Sequence, residues 1–197
     1  MSNLRLGRWA GFALASAFIA YLVWSAQGTI TVSQRDAPFD QRFIDMMVPH
    51  HEAAIAMAEI ARSRASHREL RALADEIIDD QSAEIGQLRA WRESWFGSSE
   101  TPPMEAMPML PGVQMLGQPM SGDRMDMRAS VEQLRSAEPF DPAFIDAMVL
   151  HHQSAIEAAQ SALTRSSRLE IRRMAEAIIG AQLGEVDQLL QWRADWY

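Results

Sequence analysis

FDQRFIDMMVPHHEAAIAMAEIA, residues 39–61, carries two adjacent histidines, His50 and His51, behind two methionines, Met46 and Met47. The text returns at 140–162 as FDPAFIDAMVLHHQSAIEAAQSA, with Met148, His151 and His152 in the matching places. Four of the chain's five histidines therefore sit in two copies of one motif. In the first copy Phe43, Met47, His50, Ala54, Met57 and Ala61 recur at steps of four and three, and Ile44, Val48, His51, Ile55 and Ala58 form the adjoining row. That period predicts a helix with a broad apolar face on which both histidines lie. Pro49 falls inside it, where a lost backbone hydrogen bond is expected to bend the axis just before the pair; the second copy has Leu150 there.

Working outward, Asp40 offers an N-cap to the first helix, and Asp141 followed by Pro142 offers one to its repeat. Ser66–Glu69 (SHRE) reads as a capping box that opens a second helix, continued by Leu70, Leu73, Ile77, Gln81, Ile85, Leu88, Trp91 and Trp95 at helical spacing. Residues 39–96 then form one antiparallel hairpin. Aligned at a constant offset of 101, Pro38–Trp95 and Pro139–Trp196 match without a gap at 28 of 58 positions. Such identity reads as an internal duplication, with Ser167–Glu170 (SRLE) as the second capping box and 139–197 as the second hairpin. Two hairpins with matching apolar faces predict an all-α fold, a four-helix bundle with pseudo-twofold symmetry. The tryptophans that end the second helices, Trp91, Trp95, Trp192 and Trp196, are expected to cap the core at one end of the bundle.

Residues 97–138 are too long for an ordinary loop. Their centre, MEAMPMLPGVQMLGQPMSGDRMDM, has no regular period and holds Met104, Met107, Met109, Met115, Met120, Met125 and Met127 among prolines and glycines. Arg128–Arg135 is expected to add a short helix. At the other end of the chain, residues 1–8 carry Arg5 and Arg8, and 9–26 (WAGFALASAFIAYLVWSA) run without a charge. That stretch predicts a single membrane-spanning helix flanked by aromatic residues, with the N-terminus in the cytoplasm and the remaining chain across the membrane. A cleaved signal peptide is the alternative, and Trp24 stands where its cleavage site wants a small residue. Residues 27–38 read as a polar linker.

A net charge of −8 argues against nucleic acid as a partner. With no cysteine, disulfides, thiolate metal sites and cysteine nucleophiles are excluded, and soft-metal chemistry falls to histidine and to the thirteen methionines. Met46 with His50, Met47 with His51 and Met47 with His50 stand four, four and three residues apart, so thioether and imidazole share a helix face. A thioether beside an imidazole suits Cu(I) or Ag(I), while imidazole also serves Cu(II) and Zn(II). Asp45 and Asp146 precede each pair and are candidates to orient a ring or bind directly. Glu84 and Glu185, with Gln81 and Gln182, occupy equivalent positions on the second helices, where an inner-face carboxylate would need a partner. The seven linker methionines can gather around a soft ion or fill irregular apolar space. A di-iron bundle needs Glu-x-x-His pairs, and the chain contains none. It also lacks a P-loop, a nucleophile elbow and a dinucleotide fingerprint.

The motif F-I-D-x-M-V-x-H-H followed by A-I and a small-residue helix resembles the DUF305 family, over both repeats. The resemblance implies a ferritin-like bundle, often exported, in a family some of whose members bind copper in the periplasm. Carried over, it places ligands at Met47, His50 and His51 and at Met148, His151 and His152; Ala147 in place of the first methionine and Leu150 in place of the proline set the second copy apart. The sequence thus predicts a membrane-anchored periplasmic protein that buffers or delivers Cu(I), with Cu(II) as a further form and silver as a mimic, without turnover, and that meets a copper-handling protein. The competing readings are a metal-dependent oxidase on the same bundle and an envelope protein whose histidines complete a core.

Overall fold

The computed structural model describes residues 37–110, 113, 120–121 and 124–197, and for Ala37, Pro38, Met120, Ser121, Arg124 and Met125 the backbone alone. Five helices account for most of them. Helix α1 (Ala37–Arg64) and α2 (Arg68–Phe96) form one hairpin, a short α3 (Met127–Arg135) follows, and α4 (Phe140–Arg165) and α5 (Leu169–Trp196) form the other. The protein is all-α apart from a miniature antiparallel sheet in the linker, whose two-residue strands β1 (Met107–Pro108), β2 (Met120–Ser121) and β3 (Arg124–Met125) lie in the order β1-β3-β2. No helix among the described residues is long and apolar enough to cross a membrane. The expected anchor at 9–26 lies outside them, as does Met115.

The bundle packs along the faces that the periodicity marks out. Phe43, Ile44, Met46, Met47, Val48 and Ala54 of α1 meet Phe144, Ile145, Met148, Ala155 and Ala158 of α4, all with no exposed surface, and α2 and α5 close the core with Leu70, Ile77 and Leu88 and with Ile171, Ile178 and Leu189. Alanines at the α1–α4 crossing let the two backbones approach closely. Helix α1 runs through Pro49 as one continuous helix. Helix α3, expected at 128–135, is capped by Asp126 and buries Met127, Val131 and Leu134 against α1 and α4. Arg64 closes its far end, donating to the carbonyls of Leu134, Arg135 and Ala137.

Helix capping departs from the sequence reading. The first residue outside α2 is His67, and no side chain of its own segment caps that end; α5 is the same at Arg168. The Asp141 carboxylate accepts from the backbone N–H groups of Ser66 and His67 at 2.9–3.1 Å and lies 2.7 Å from the His67 ring. Asp40 meets Ser166 Oγ at 2.6 Å and Arg168 at 3.3 Å. Each aspartate lies inside its own helix and serves the other hairpin, so neither the local N-caps at Asp40 and Asp141 nor the two capping boxes form. The physical reason is proximity: before α2 the Asp141 carboxylate of the neighbouring hairpin takes the N–H groups of Ser66 and His67, and before α5 Asp40 holds Ser166 Oγ, which accepts from the Arg168 N–H at 3.1 Å.

The tryptophans also correct an expectation. Trp91 stacks on Trp95 and Trp192 on Trp196, but Trp95 lies under Arg168 at the start of α5 and Trp196 stacks at 3.8 Å on His67 at the start of α2. Helices α2 and α5 therefore run antiparallel and their tryptophans close opposite ends of the bundle.

Candidate metal centre

The four motif histidines have no exposed surface. Helices α1 and α4 cross where the pairs lie, bringing the His50 and His151 rings to a centroid distance of 3.8 Å, with His51 and His152 at 6.2 and 6.1 Å from their own neighbours. Glutamates reach inward from the outer helices of each hairpin: His51 Nε2 lies 2.8 Å from Glu84 Oε2 and His152 Nε2 lies 2.5 Å from Glu185 Oε2. Both carboxylates keep an outer edge in solvent, at 21% and 15% side-chain exposure, which spares them full desolvation.

These neighbours assign the ring protons. His151 Nε2 lies 3.0 Å from the backbone carbonyl of His50, an acceptor only, so that nitrogen carries hydrogen. Ser154 Oγ donates to the His151 carbonyl at 2.7 Å and therefore accepts from His50 Nε2, also at 2.7 Å. At His51 and His152 a bare nitrogen would be repelled by a carboxylate this close, so Nε2 is the protonated atom there too. The Nδ1 atoms of all four rings are buried with no hydrogen-bond partner among the described residues, as are Gln81 Oε1 and Gln182 Oε1. Burial, reinforced by the neighbouring imidazoles, holds His50 and His151 well below the usual histidine range, although the His50 carbonyl pulls His151 the other way. Both rings are neutral at pH 7.

Of the remaining candidates, Met46, Met47 and Met148 are fully buried on the same two helices. Asp45 and Asp146 are engaged elsewhere, with Arg92 at 2.6 Å and Arg193 at 3.0 Å. Met107 and Met127 are fully buried and Met104 and Met109 pack against the core from outside. Sequence reasoning missed Ser154, since its counterpart is Ala53 and the motif alone gives it no role.

Residues 40–193 match the family model described as a domain of unknown function, DUF305. The chain belongs to the DUF305 family. Among solved structures it is similar to CopM in the Cu(I)-bound form, at 37% identity and a TM-score of 0.63 over 80% of this chain and 97% of that one, and to CopM in a silver-bound form obtained by soaking, at 36% and 0.61 over 80% and 97%. A DUF305 fragment from Deinococcus radiodurans shares the fold at 24% identity and a TM-score of 0.63, over 83% of this chain and 98% of that one. No curated protein matches.

Among the described residues no three His, Asp or Glu side chains converge as a ready-made cage. A neutral imidazole with one nitrogen held by a hydroxyl or carbonyl, as at His50 and His151, leaves its other nitrogen in the form in which histidine binds metal.

Proposed function

We infer that this protein binds Cu(I), with Ag(I) as a mimic, at the paired histidines in the bundle core, and that it buffers or delivers the ion without turning over a substrate. One observation carries the reading: four buried imidazoles whose Nδ1 atoms find no partner among the described residues. An unpaired buried polar atom costs about 1–3 kcal/mol, and four of them at one crossing make sense as ligands held in readiness. His50, His51, His151 and His152 are the principal donors, Met47 and Met148 supply thioethers from the same faces, and Met46 adds one in the first copy alone. Glu84 and Glu185 act from outside the ligand shell, holding the Nε2 side of the His51 and His152 rings. The Cu(I)- and Ag-bound forms of CopM support the choice of ion. The bundle is ferritin-like in class, and residues 9–26 hold it at the periplasmic face of the inner membrane, where it meets a copper-handling partner.

Competition titration of the full-length protein against a chromogenic Cu(I) chelator tests this. His50→Ala, His51→Ala, His151→Ala and His152→Ala together abolish the tight phase, and Glu84→Gln or Glu185→Gln weakens it by about ten- to a hundredfold, the usual effect of removing an outer partner. Unchanged affinity in the four-histidine variant, confirmed folded by circular dichroism, overturns the reading.

A further inference from the structure

Among the described residues, three of the five large apolar side chains left exposed lie on α5: Leu169, Leu183 and Leu190, at 46%, 46% and 49% exposure. Leu183 and Leu190 stand one heptad apart and Leu169 two heptads earlier, so the three return to nearly the same flank of the helix and form a row. Helix α2 holds the corresponding place in the other hairpin, and at the offset of 101 its residues are Arg68, Ser82 and Arg89, all exposed. This place in the bundle is met by charge and hydroxyl on α2, so the leucines of α5 answer to something outside the chain's own core. Gly180, one turn before Leu183, matches Asp79 of α2. A Cβ at Gly180 would meet nothing within 4 Å, so packing inside the chain does not call for glycine, which costs about 1 kcal/mol against alanine in a helix interior. Leucines and a glycine where the matching helix carries polar groups describe a flank on which another helix lies.

We propose that a second copy of this chain docks here, its α5 packed antiparallel on the first about a twofold axis that passes beside Gly180. The row is self-complementary in that direction. An axis between residues 179 and 180 sets Leu169 against Leu190 of the partner subunit and brings Arg173 to Asp187 of the partner subunit, and symmetry makes each pairing twice. Arg173 and Asp187 are exposed and make no ion pair with their own chain among the described residues, so both charges are available for it. Glu176 stands one turn from Arg173 on its own helix, where the two charges offset each other. The axis falls where glycine lets two backbones come closest. A parallel pair would set Arg173 against Arg173 and Asp187 against Asp187, which repel. A membrane surface is the weaker match, because anionic headgroups repel Glu176 and Asp187 on the same flank. One helix pair makes a small interface beside those of permanent dimers, so the association should depend on concentration.

The chain has no cysteine, so single introduced cysteines report on the interface without background. In the full-length protein, Leu169→Cys and Leu190→Cys mixed in equal amounts and oxidised with diamide should give a disulfide-linked dimer, while each variant alone gives little. Arg68→Cys mixed with Arg89→Cys, at the matching places on α2, sets the level of random collision. Adding Leu183→Arg to both partners changes an exposed position, should leave circular dichroism as it was, and should bring the linked product down to that level. Arg173→Asp should lower the product as well, and Asp187→Arg added to it should restore the yield; this reversal keeps the test open if Leu183→Arg disturbs the fold. The proposal is overturned by a mixed product no greater than the α2 control, by self-linked products that exceed the mixed one, or by a yield that ignores both Leu183→Arg and the charge reversal. A polarity-sensitive dye on Leu183→Cys that responds to phosphatidylglycerol vesicles and not to protein concentration assigns the row to a lipid surface and overturns it too.

Discussion

Ser154 is where the two histidine pairs stop being equivalent. Its hydroxyl bridges His50 Nε2 and the His151 carbonyl, both at 2.7 Å, whereas Ala53 in the first copy has nothing to bridge with and His151 Nε2 turns to the His50 carbonyl instead. One ring is tied by a side chain and the other by backbone, so the two halves of the centre differ even though the motif text is nearly the same. Ser154→Ala should leave the His50 N–H without its acceptor and cost about 1–3 kcal/mol, the penalty for a buried donor left unmade. Urea unfolding of the metal-free protein at pH 7 measures it. A loss below roughly 0.5 kcal/mol would mean that the hydroxyl does not set the His50 proton, and the assignment of bare Nδ1 atoms would go with it.

At the scale of elements, the hairpins hold each other by their ends. Asp141 satisfies the first N–H groups of α2, Asp40 meets Ser166 and Arg168 before α5, Arg64 lies over Phe140 and Arg165 over Phe39. Burial pushes the Asp141 carboxyl up, but the Ser66 N–H, the His67 ring and the His67 N–H together outweigh it and hold it below the ordinary aspartate value of 3.8. A carboxylate depressed in the folded state adds stability that is complete above the unfolded pKa and is lost as pH falls through the folded one. Asp141→Asn keeps an acceptor and loses the charge, so at pH 7 it should be destabilised by about 1 kcal/mol, the difference between charged and neutral hydrogen bonds. The gap should close below about pH 4 as wild type is protonated. Urea midpoints across pH 2.5–7 decide the matter, and a gap that stays constant in acid rules this role out. The same contacts explain what was legible. Among the described residues periodicity located the four long helices and the buried histidines, because a helix's apolar face is written in local text. SHRE and SRLE misled because a capping box is also local text, while the real partner of Ser66 lies 75 residues away. The serine bridge escaped for the same reason: a crossing of two helices is a property of the assembled chain.

At the scale of the molecule, the hydrophobic core is continuous from α1 through α4 and into both outer helices, with His50 and His151 at the crossing. Two separately stable hairpins would each need a core of their own, and here the fully buried faces of α1 and α4 are turned on one another. The protein should therefore unfold as one cooperative unit. The tryptophans supply the probes, since Trp91 and Trp95 close one end and Trp192 and Trp196 the other. With Trp9 and Trp24 also changed to phenylalanine, replacing one pair or the other by phenylalanine leaves fluorescence that reports a single end, and each variant's fluorescence transition in urea should superimpose on its own transition by circular dichroism. Silver at a hundred times its dissociation constant should shift both probes together by about 2.7 kcal/mol, because an ion held between α1 and α4 stabilises the folded state as a whole. Probes that separate, with silver moving only one, would mean that the ion belongs to one hairpin and that the histidine pairs do not form a joint centre.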